Sequence, residues 1–470
     1  MVEAAVAVKP GRIAILALLV AVLGAYLYYY ELPKAEQEAA KGKLLDVDKD
    51  AVTGLTLVFP DREIELAKDG THWKLVRPAT GPADDTAVGT LVTSLIGAEV
   101  QKTIDAVPDD LAKFGLDKPN PLVRVTAGDR TLPELRVGRN TTVGGKAYVR
   151  RGDEPKVLLV AAAVSAGLDK KIDDLRDKKL LDFTDDTVTK VTIARGESVV
   201  TLVRAEKDVW TVDPGGYPAD LTEVRSYLSS LRSARAVGFA DDAPTDLVPF
   251  GLDVPRLRVG VYTGGDTPAQ ELLLGTEITE KDQKRLYAKR GDRPGVVTLG
   301  EWTLRSLDKT PGQLRDKTVL KFDAAAVGKI TLERPDGQGF VVVRDGTGWK
   351  FEGGGDETPQ PAVVQRLLDD LRDLRGAEIA SESATDLAPY GLDAPSVRIA
   401  LADTDGKDLG TVLAARKDAT YYAMRGGAPT VFEARDYMFT RLDKKRSDLL
   451  QAAGGGAPAP APPLANAPAD

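Results

Sequence analysis

The alternation of apolar and polar positions gives the same series of elements three times along the chain. Each series opens with two β-rich segments, at 52–59 and 63–66, at 188–194 and 199–204, and at 327–333 and 340–344. A turn then leads to a short strand built on a tryptophan: His72-Trp73-Lys74-Leu75, Val209-Trp210-Thr211-Val212 and Gly348-Trp349-Lys350-Phe351. The period then changes from two to between three and four. Val88, Leu91, Val92, Leu95 and Ile96 fall on one face of a helix, as do Val224, Tyr227, Leu228 and Leu231, and Val364, Leu367, Leu368 and Leu371. Alternation returns at 122–127, 257–262 and 397–401, again at 132–137, 271–274 and 409–413, and on either side of Tyr148, Tyr287 and Tyr422. Last strands at 156–160, 296–299 and 430–433 lead to closing helices around Leu168, Leu307 and Leu442.

Between each long helix and the strands after it lies one phrase. It reads Asp110-Leu111-Ala112-Lys113-Phe114-Gly115-Leu116-Asp117-Lys118-Pro119, then Asp246-Leu247-Val248-Pro249-Phe250-Gly251-Leu252-Asp253-Val254-Pro255, then Asp386-Leu387-Ala388-Pro389-Tyr390-Gly391-Leu392-Asp393-Ala394-Pro395. The first Asp suits the cap of a helical turn, and Gly suits its left-handed close, with Leu supplying the hydrophobic contact that follows. The proline holds the chain extended into the next strand. Asp117, Asp253 and Asp393 fit the same turn chemistry; a ligand or acid role for them is the competing reading. The glycines stand 136 and 140 residues apart (115 to 251, 251 to 391) and the tryptophans 137 and 139 (73 to 210, 210 to 349), the length of a domain. The expected architecture is therefore α+β, with three tandem copies of an antiparallel-sheet-plus-helices domain at 44–182, 183–321 and 322–452. The joints repeat as well: Leu175-Arg176-Asp177-Lys178 precedes Phe183, and Leu314-Arg315-Asp316-Lys317 precedes Phe322. The third copy diverges most, with shorter strands expected near 414–419.

Ahead of the first copy, residues 13–30 (Ile13 to Tyr30) form an uncharged run of about 27 Å as a helix, enough to cross a hydrocarbon core. Lys9 and Arg12 precede it, and Tyr26, Tyr28, Tyr29, Tyr30 and Glu31 lie at its far end. This order predicts a transmembrane anchor with residues 1–12 cytoplasmic and the bulk of the chain exported, on the periplasmic side of a bacterial inner membrane. The tyrosines occupy the place where a small-residue cleavage site belongs, so an anchor fits better than a cleaved signal. A soluble secreted form would need cleavage near Ala39 and Ala40. Residues 31–43 read as a charged stalk, and the Gly/Ala/Pro-rich 453–470 as a disordered tail.

With 470 residues, 43% hydrophobic and 29% charged, the chain is long enough for three packed cores. Its net charge of −8 argues against a nucleic-acid partner. The absence of cysteine excludes disulfides, thiol nucleophiles and thiolate metal sites.

Candidate chemistry is sparse. His72 is the only histidine, its counterparts are Val209 and Gly348, and no motif gives it a partner for base catalysis. Adjacent acids recur at Asp84-Asp85, Asp109-Asp110, Asp185-Asp186, Asp241-Asp242 and Asp369-Asp370, but neighbours in sequence do not face one another, so they read as caps and solvated faces. No phosphate-binding, zinc-binding or nucleophile-elbow motif is present, and none calls for a cofactor or metal. Near the central tyrosines, Lys146, Arg150 and Arg151, and Lys284, Arg285, Lys289 and Arg290, form a basic rim; the third copy keeps Arg425. Arg150, Arg151, Lys289 and Arg290 are candidates for binding an acidic partner, and edge-strand protection is the other reading.

An anchor followed by copies of Trp strand, helix, Phe/Tyr-Gly-Leu-Asp-x-Pro and Tyr-bearing strand resembles the bacterial domain of unknown function numbered 4340. The signature is carried by Phe114 to Pro119, Phe250 to Pro255 and Tyr390 to Pro395, within a likeness spanning about 44–450. Members are typically single-span proteins encoded beside ABC-2-type transporter subunits of the gliding-motility type. The resemblance therefore implies a non-enzymatic, exported-side accessory or scaffold protein with ABC-transporter subunits as partners, and it supplies no catalytic residues. The competing class is a glycan-binding or carboxylate-dependent hydrolytic protein of the cell envelope, which would need an acidic cleft.

Overall fold

The computed structural model describes residues 42–105, 110–353 and 357–450. The expected cytoplasmic segment, the 13–30 anchor, nearly all of the stalk and the 453–470 tail lie outside these residues. Among the described residues, no helix is long and apolar enough to cross a membrane.

Each repeat builds one antiparallel sheet with the same strand order. In the third repeat, Val327–Glu333 pairs with Phe340–Asp345, which pairs with the tryptophan strand Gly348–Phe351. The other edge of Val327–Glu333 takes Val397–Asp403, the strand launched by the repeated phrase. From there Asp408–Lys417, Thr420–Arg425 and Val431–Ala434 follow as a meander. Glu378–Ser381, which leaves the long helix, closes the far edge against Val431–Ala434. The helix Pro361–Arg372 thus links the two outer edges of the sheet. Its counterparts are Asp85–Ile96 and Leu221–Ser233.

The helices bury the faces that their periodicity predicts, namely Val88, Leu91, Val92, Leu95 and Ile96, then Val224, Tyr227, Leu228 and Leu231, then Val364, Leu367, Leu368 and Leu371. In the first repeat they meet Leu55, Leu57, Leu66, Trp73, Val123 and Val137 in one core, and in the third Ile330, Val342, Trp349, Ile399 and Val412 do the same. Tyr227 is fully buried, and its hydroxyl donates to the Leu307 carbonyl at 2.9 Å, which ties the second long helix to the closing helix Glu301–Leu307.

The chain forms two compact units. One holds the described residues up to Asp182 together with Ser233–Asp253 and Thr276–Glu301; the other holds Phe183–Arg232, Val254–Gly275 and the described residues from Trp302 onward. The division runs through the second repeat, so the unit of repetition and the unit of packing differ. The joint between repeats one and two lies inside the first unit, and that between two and three inside the second.

Three details differ from expectation. The third copy does not have short strands near 414–419: Asp408–Lys417 runs unbroken for ten residues and turns at Asp418, with φ 55°, into Thr420–Arg425. Lys43, placed in the stalk, already bridges Glu99 in the body of the first repeat. The edge strands Lys102–Asp105, Gly238–Asp241 and Glu378–Ser381 were not anticipated, because four residues without apolar alternation leave no periodic signal.

Candidate binding cleft at the joint between repeats

The repeated phrase folds as its turn chemistry requires. Asp110, Asp246 and Asp386 each accept the backbone N–H two residues on, at 2.9, 2.9 and 3.0 Å. Gly115, Gly251 and Gly391 close the turn with φ of 69°, 62° and 66°. Leu116, Leu252 and Leu392 then bury completely, and their N–H groups return to the carbonyls of Leu111, Leu247 and Leu387. Asp117, Asp253 and Asp393 point to solvent. The aromatic residue before each glycine packs edge-on against the central tyrosine: Phe114 on Tyr148 at 5.0 Å, Phe250 on Tyr287 at 5.0 Å, Tyr390 on Tyr422 at 5.2 Å. In the third repeat this contact belongs to a second small cluster of Leu392, Ala415, Met424 and Val431, on the sheet face opposite the helix. The phrase is therefore a bracket for the outer face.

The basic rim divides into local tasks. Arg151 pairs with Glu154 at 2.7 Å and donates to the Leu44 carbonyl at 3.2 Å, while Arg150 donates to the Glu154 carbonyl at 2.8 Å. Arg290 repeats the first of these, pairing with Asp292 at 2.5 Å and donating to the Leu180 carbonyl at 3.2 Å. Lys289 Nζ holds the carbonyls of Arg290 and Arg293. Arg151 and Arg290 thus clamp the segment by which each repeat enters its fold. Of the four, Arg290 also reaches a cavity.

That cavity follows from how the repeats are joined. Leu175-Arg176-Asp177-Lys178 is bonded on both sides. Asp84 N–H donates to the Leu175 carbonyl at 2.8 Å and Asp177 N–H to the Pro82 carbonyl at 3.1 Å, which ties the segment back to repeat one. Ala236 N–H donates to the Lys178 carbonyl at 2.8 Å, which ties it forward to repeat two. The second joint uses equivalent bonds: Asp220 N–H to Leu314, Asp316 N–H to Pro218, Gly376 N–H to Lys317, at 2.8, 2.8 and 2.9 Å. Each joint also carries a largely buried arginine paired forward with a carboxylate, Arg176 with Asp242 at 2.5 Å and Arg315 with Glu382. Each guanidinium lies over one ring, Arg176 over Phe239 at 4.3 Å and Arg315 over Tyr217 at 3.5 Å.

The two joints take the ring over their arginine from different sides: Phe239, in the edge strand Gly238–Asp241 of the following repeat, at the first, and Tyr217, beside the tryptophan strand of the preceding repeat, at the second. Strand register aligns Gly81, opposite Leu75, with Tyr217, opposite Val212. At the first joint the missing side chain leaves a cleft of about 260 Å³, walled by Leu75, Pro82, Leu180, Phe239 and Val297, with Arg176, Arg290 and Arg293 among its charged lining. A Cβ at Gly81 would meet no atom within 4 Å. The acids lining the cleft are engaged, Asp242 with Arg176 and Asp177 with Arg293 at 3.8 Å. The chemistry on offer is recognition of an apolar, planar group next to a cation. In the second unit a larger and more polar hollow runs from Trp210 and Asp220 to Arg372 and Arg375, where Arg375 pairs with Asp220.

Sequence reasoning also missed a pair at His72. Its Nδ1 lies 2.7 Å from one oxygen of Asp85, whose other oxygen accepts Trp73 N–H at 2.6 Å. The hydrogen bond and charge of Asp85 raise the histidine pKa. Partial burial pushes Asp85 up, but the bonds from His72 and Trp73 N–H outweigh it and leave the carboxyl below its ordinary range. His72 is largely exposed, and the pair latches the tryptophan strand to the helix N-terminus. Among the described residues, no group of three or more His, Cys, Asp or Glu is placed to hold a metal ion.

No curated protein matches the chain. Among solved structures it is similar to a DNA polymerase sliding clamp from Pseudomonas aeruginosa with ligand, at 9% identity over 84% of this chain and 93% of that one, with a TM-score of 0.14. It is also similar to a DnaN sliding clamp (DNA polymerase III subunit beta) from the same organism bound to griselimycin, at 9% identity over 84% and 94%, with a TM-score of 0.12. Superpositions this poor carry no argument. The family model described as domain of unknown function (DUF4340) matches three times, at residues 73–214, 210–363 and 359–453, so the chain belongs to the DUF4340 family.

Proposed function

We propose that this chain is a membrane-anchored, extracytoplasmic scaffold or binding subunit without enzymatic activity, working beside an ABC-type transport system. The anchor is the 13–30 run, and the repeats present binding surface beyond the membrane. The observation that carries the reading is the construction of the joints. Backbone bonds run to both sides and a buried arginine pairs forward at each, so consecutive repeats are joined by paired chain and not strung as beads on a flexible linker. A hydrolytic role on envelope glycan would call for two free carboxylates facing each other across a cleft, whereas Asp177 and Asp242 at the first joint are each paired with an arginine.

The test is recovery of tagged full-length protein from mild detergent, with partners identified by mass spectrometry. A form whose 13–30 run is replaced by an unrelated span is run beside it. ABC-transporter subunits should come down with the native form and be lost on replacement. Recovery of the protein alone would sink the transporter association.

A further inference from the structure

We infer that the cleft at the first joint binds an aromatic ring, a phenol or a closely similar group, which the second joint provides for itself as Tyr217. This goes beyond the scaffold reading and does not depend on an anchor or a transporter. The two joints share their backbone bonds and a forward arginine–carboxylate pair, and they differ in which side supplies the ring over the arginine, Phe239 at the first and Tyr217 at the second. At the second, the Tyr217 ring lies 3.5 Å from the Arg315 guanidinium. At the first, Gly81 occupies the aligned position in open space, and Arg176 lines the cleft that results. A ring entering there lies beside Arg176 and the Phe239 ring that already covers its guanidinium at 4.3 Å, with Leu75, Leu180 and Val297 as walls. The volume of about 260 Å³ lies below the roughly 300–1,000 Å³ of sites for drug-sized ligands, which suits one ring on a short stem. The ring can belong to a small molecule or to a tyrosine side chain of a partner, and the chemistry recognised is the same.

The experiment uses full-length protein and two probes, 4-hydroxyphenylacetate and the tripeptide Gly-Tyr-Gly, followed by ligand-observed NMR saturation transfer and calorimetry. Wild type should bind at least one of them. Binding of the acid marks a small-molecule site, and binding of the peptide alone marks a side-chain site. Gly81→Tyr, which rebuilds the second joint at the first, should weaken binding at least tenfold and raise the melting temperature. Gly81→Leu fills the same space with a smaller group and serves if the tyrosine variant folds poorly, with far-UV circular dichroism checking each. Equal affinity in wild type and a folded filling variant would overturn the assignment, as would failure of both probes to bind wild type up to their solubility.

Discussion

The three turn glycines share a backbone conformation but not the same surroundings, and that separates two costs usually lumped together. A side chain in the left-handed region costs about 1–2 kcal/mol on backbone grounds. At Gly391 the nearest atom to an added Cβ is 3.6 Å away, so Gly391→Ala should lose only about that much. At Gly115 the Cβ would lie 3.1 Å from Arg139 N, and at Gly251 it would collide with the Thr276 hydroxyl while standing 3.1 Å from Thr276 N. Urea denaturation should rank the losses Gly391→Ala, Gly115→Ala, Gly251→Ala in rising order; equal losses would mean backbone strain alone decides. The His72–Asp85 pair gives a second test, because one histidine means one set of imidazole resonances. Asp85 raises the His72 pKa, so the pair's contribution to stability is fully present below the ordinary histidine value near 6.5 and is lost as pH rises through the folded midpoint. At the acid end it is lost again as Asp85, held low, becomes protonated. An NMR titration should find the His72 midpoint above the ordinary value in wild type and back near it in Asp85→Asn; an ordinary midpoint in wild type would mean the bond is not kept in solution.

At the scale of elements, the joint arginines stabilise more than their surface counterparts. Arg315 is 6% exposed, wedged between Tyr217 and Glu382, whereas pairs such as Arg398–Glu333 lie in water and contribute little. Arg315→Met keeps most of the stem volume and removes the charge. Because Glu382 is about half exposed, the loss should be about 2 kcal/mol, below the 3–5 typical when a fully buried partner is stranded. Hydrogen exchange at the Asp220 and Asp316 amides should quicken in this variant, while the Asp84 and Asp177 amides of the other joint keep their rates. Uniform quickening at both joints would show a global loss of stability instead. These elements also show what was legible in sequence. Helix faces and phrase turns were, since Val364 to Leu371 and Asp386 to Gly391 are decided within a few residues of chain. The edge strand Lys102–Asp105 was not, because its partner Val157–Ala161 is remote in sequence and its own residues carry no alternation. The cleft was half-written, as Gly81-Pro82 against Tyr217-Pro218, but only strand register reveals that the glycine stands where the ring belongs.

At the scale of the molecule, the repeat count and the packing point to different places for a cut. A domain boundary set by repetition would fall in the joints, and boundaries between domains are ordinarily the first sites of proteolysis. Here Leu175 to Leu180 and Leu314 to Val319 carry backbone bonds to the repeats on both sides, with Leu175 and Leu314 fully out of water. A protease needs several residues of free, extended chain, so cutting a joint requires opening the pairing of two repeats at once. Exposed tips such as Gly264-Gly265, both at positive φ, stand instead between the strands Leu257–Tyr262 and Gln270–Glu280 of one repeat. Limited proteolysis under native conditions, with peptides mapped by mass spectrometry, should therefore find early cuts at tips of this kind and late cuts between 175 and 180 or 314 and 319. Early release of fragments matching single repeats would mean that the joints open in solution. It would also weaken the scaffold reading, since that reading rests on joints that stay closed.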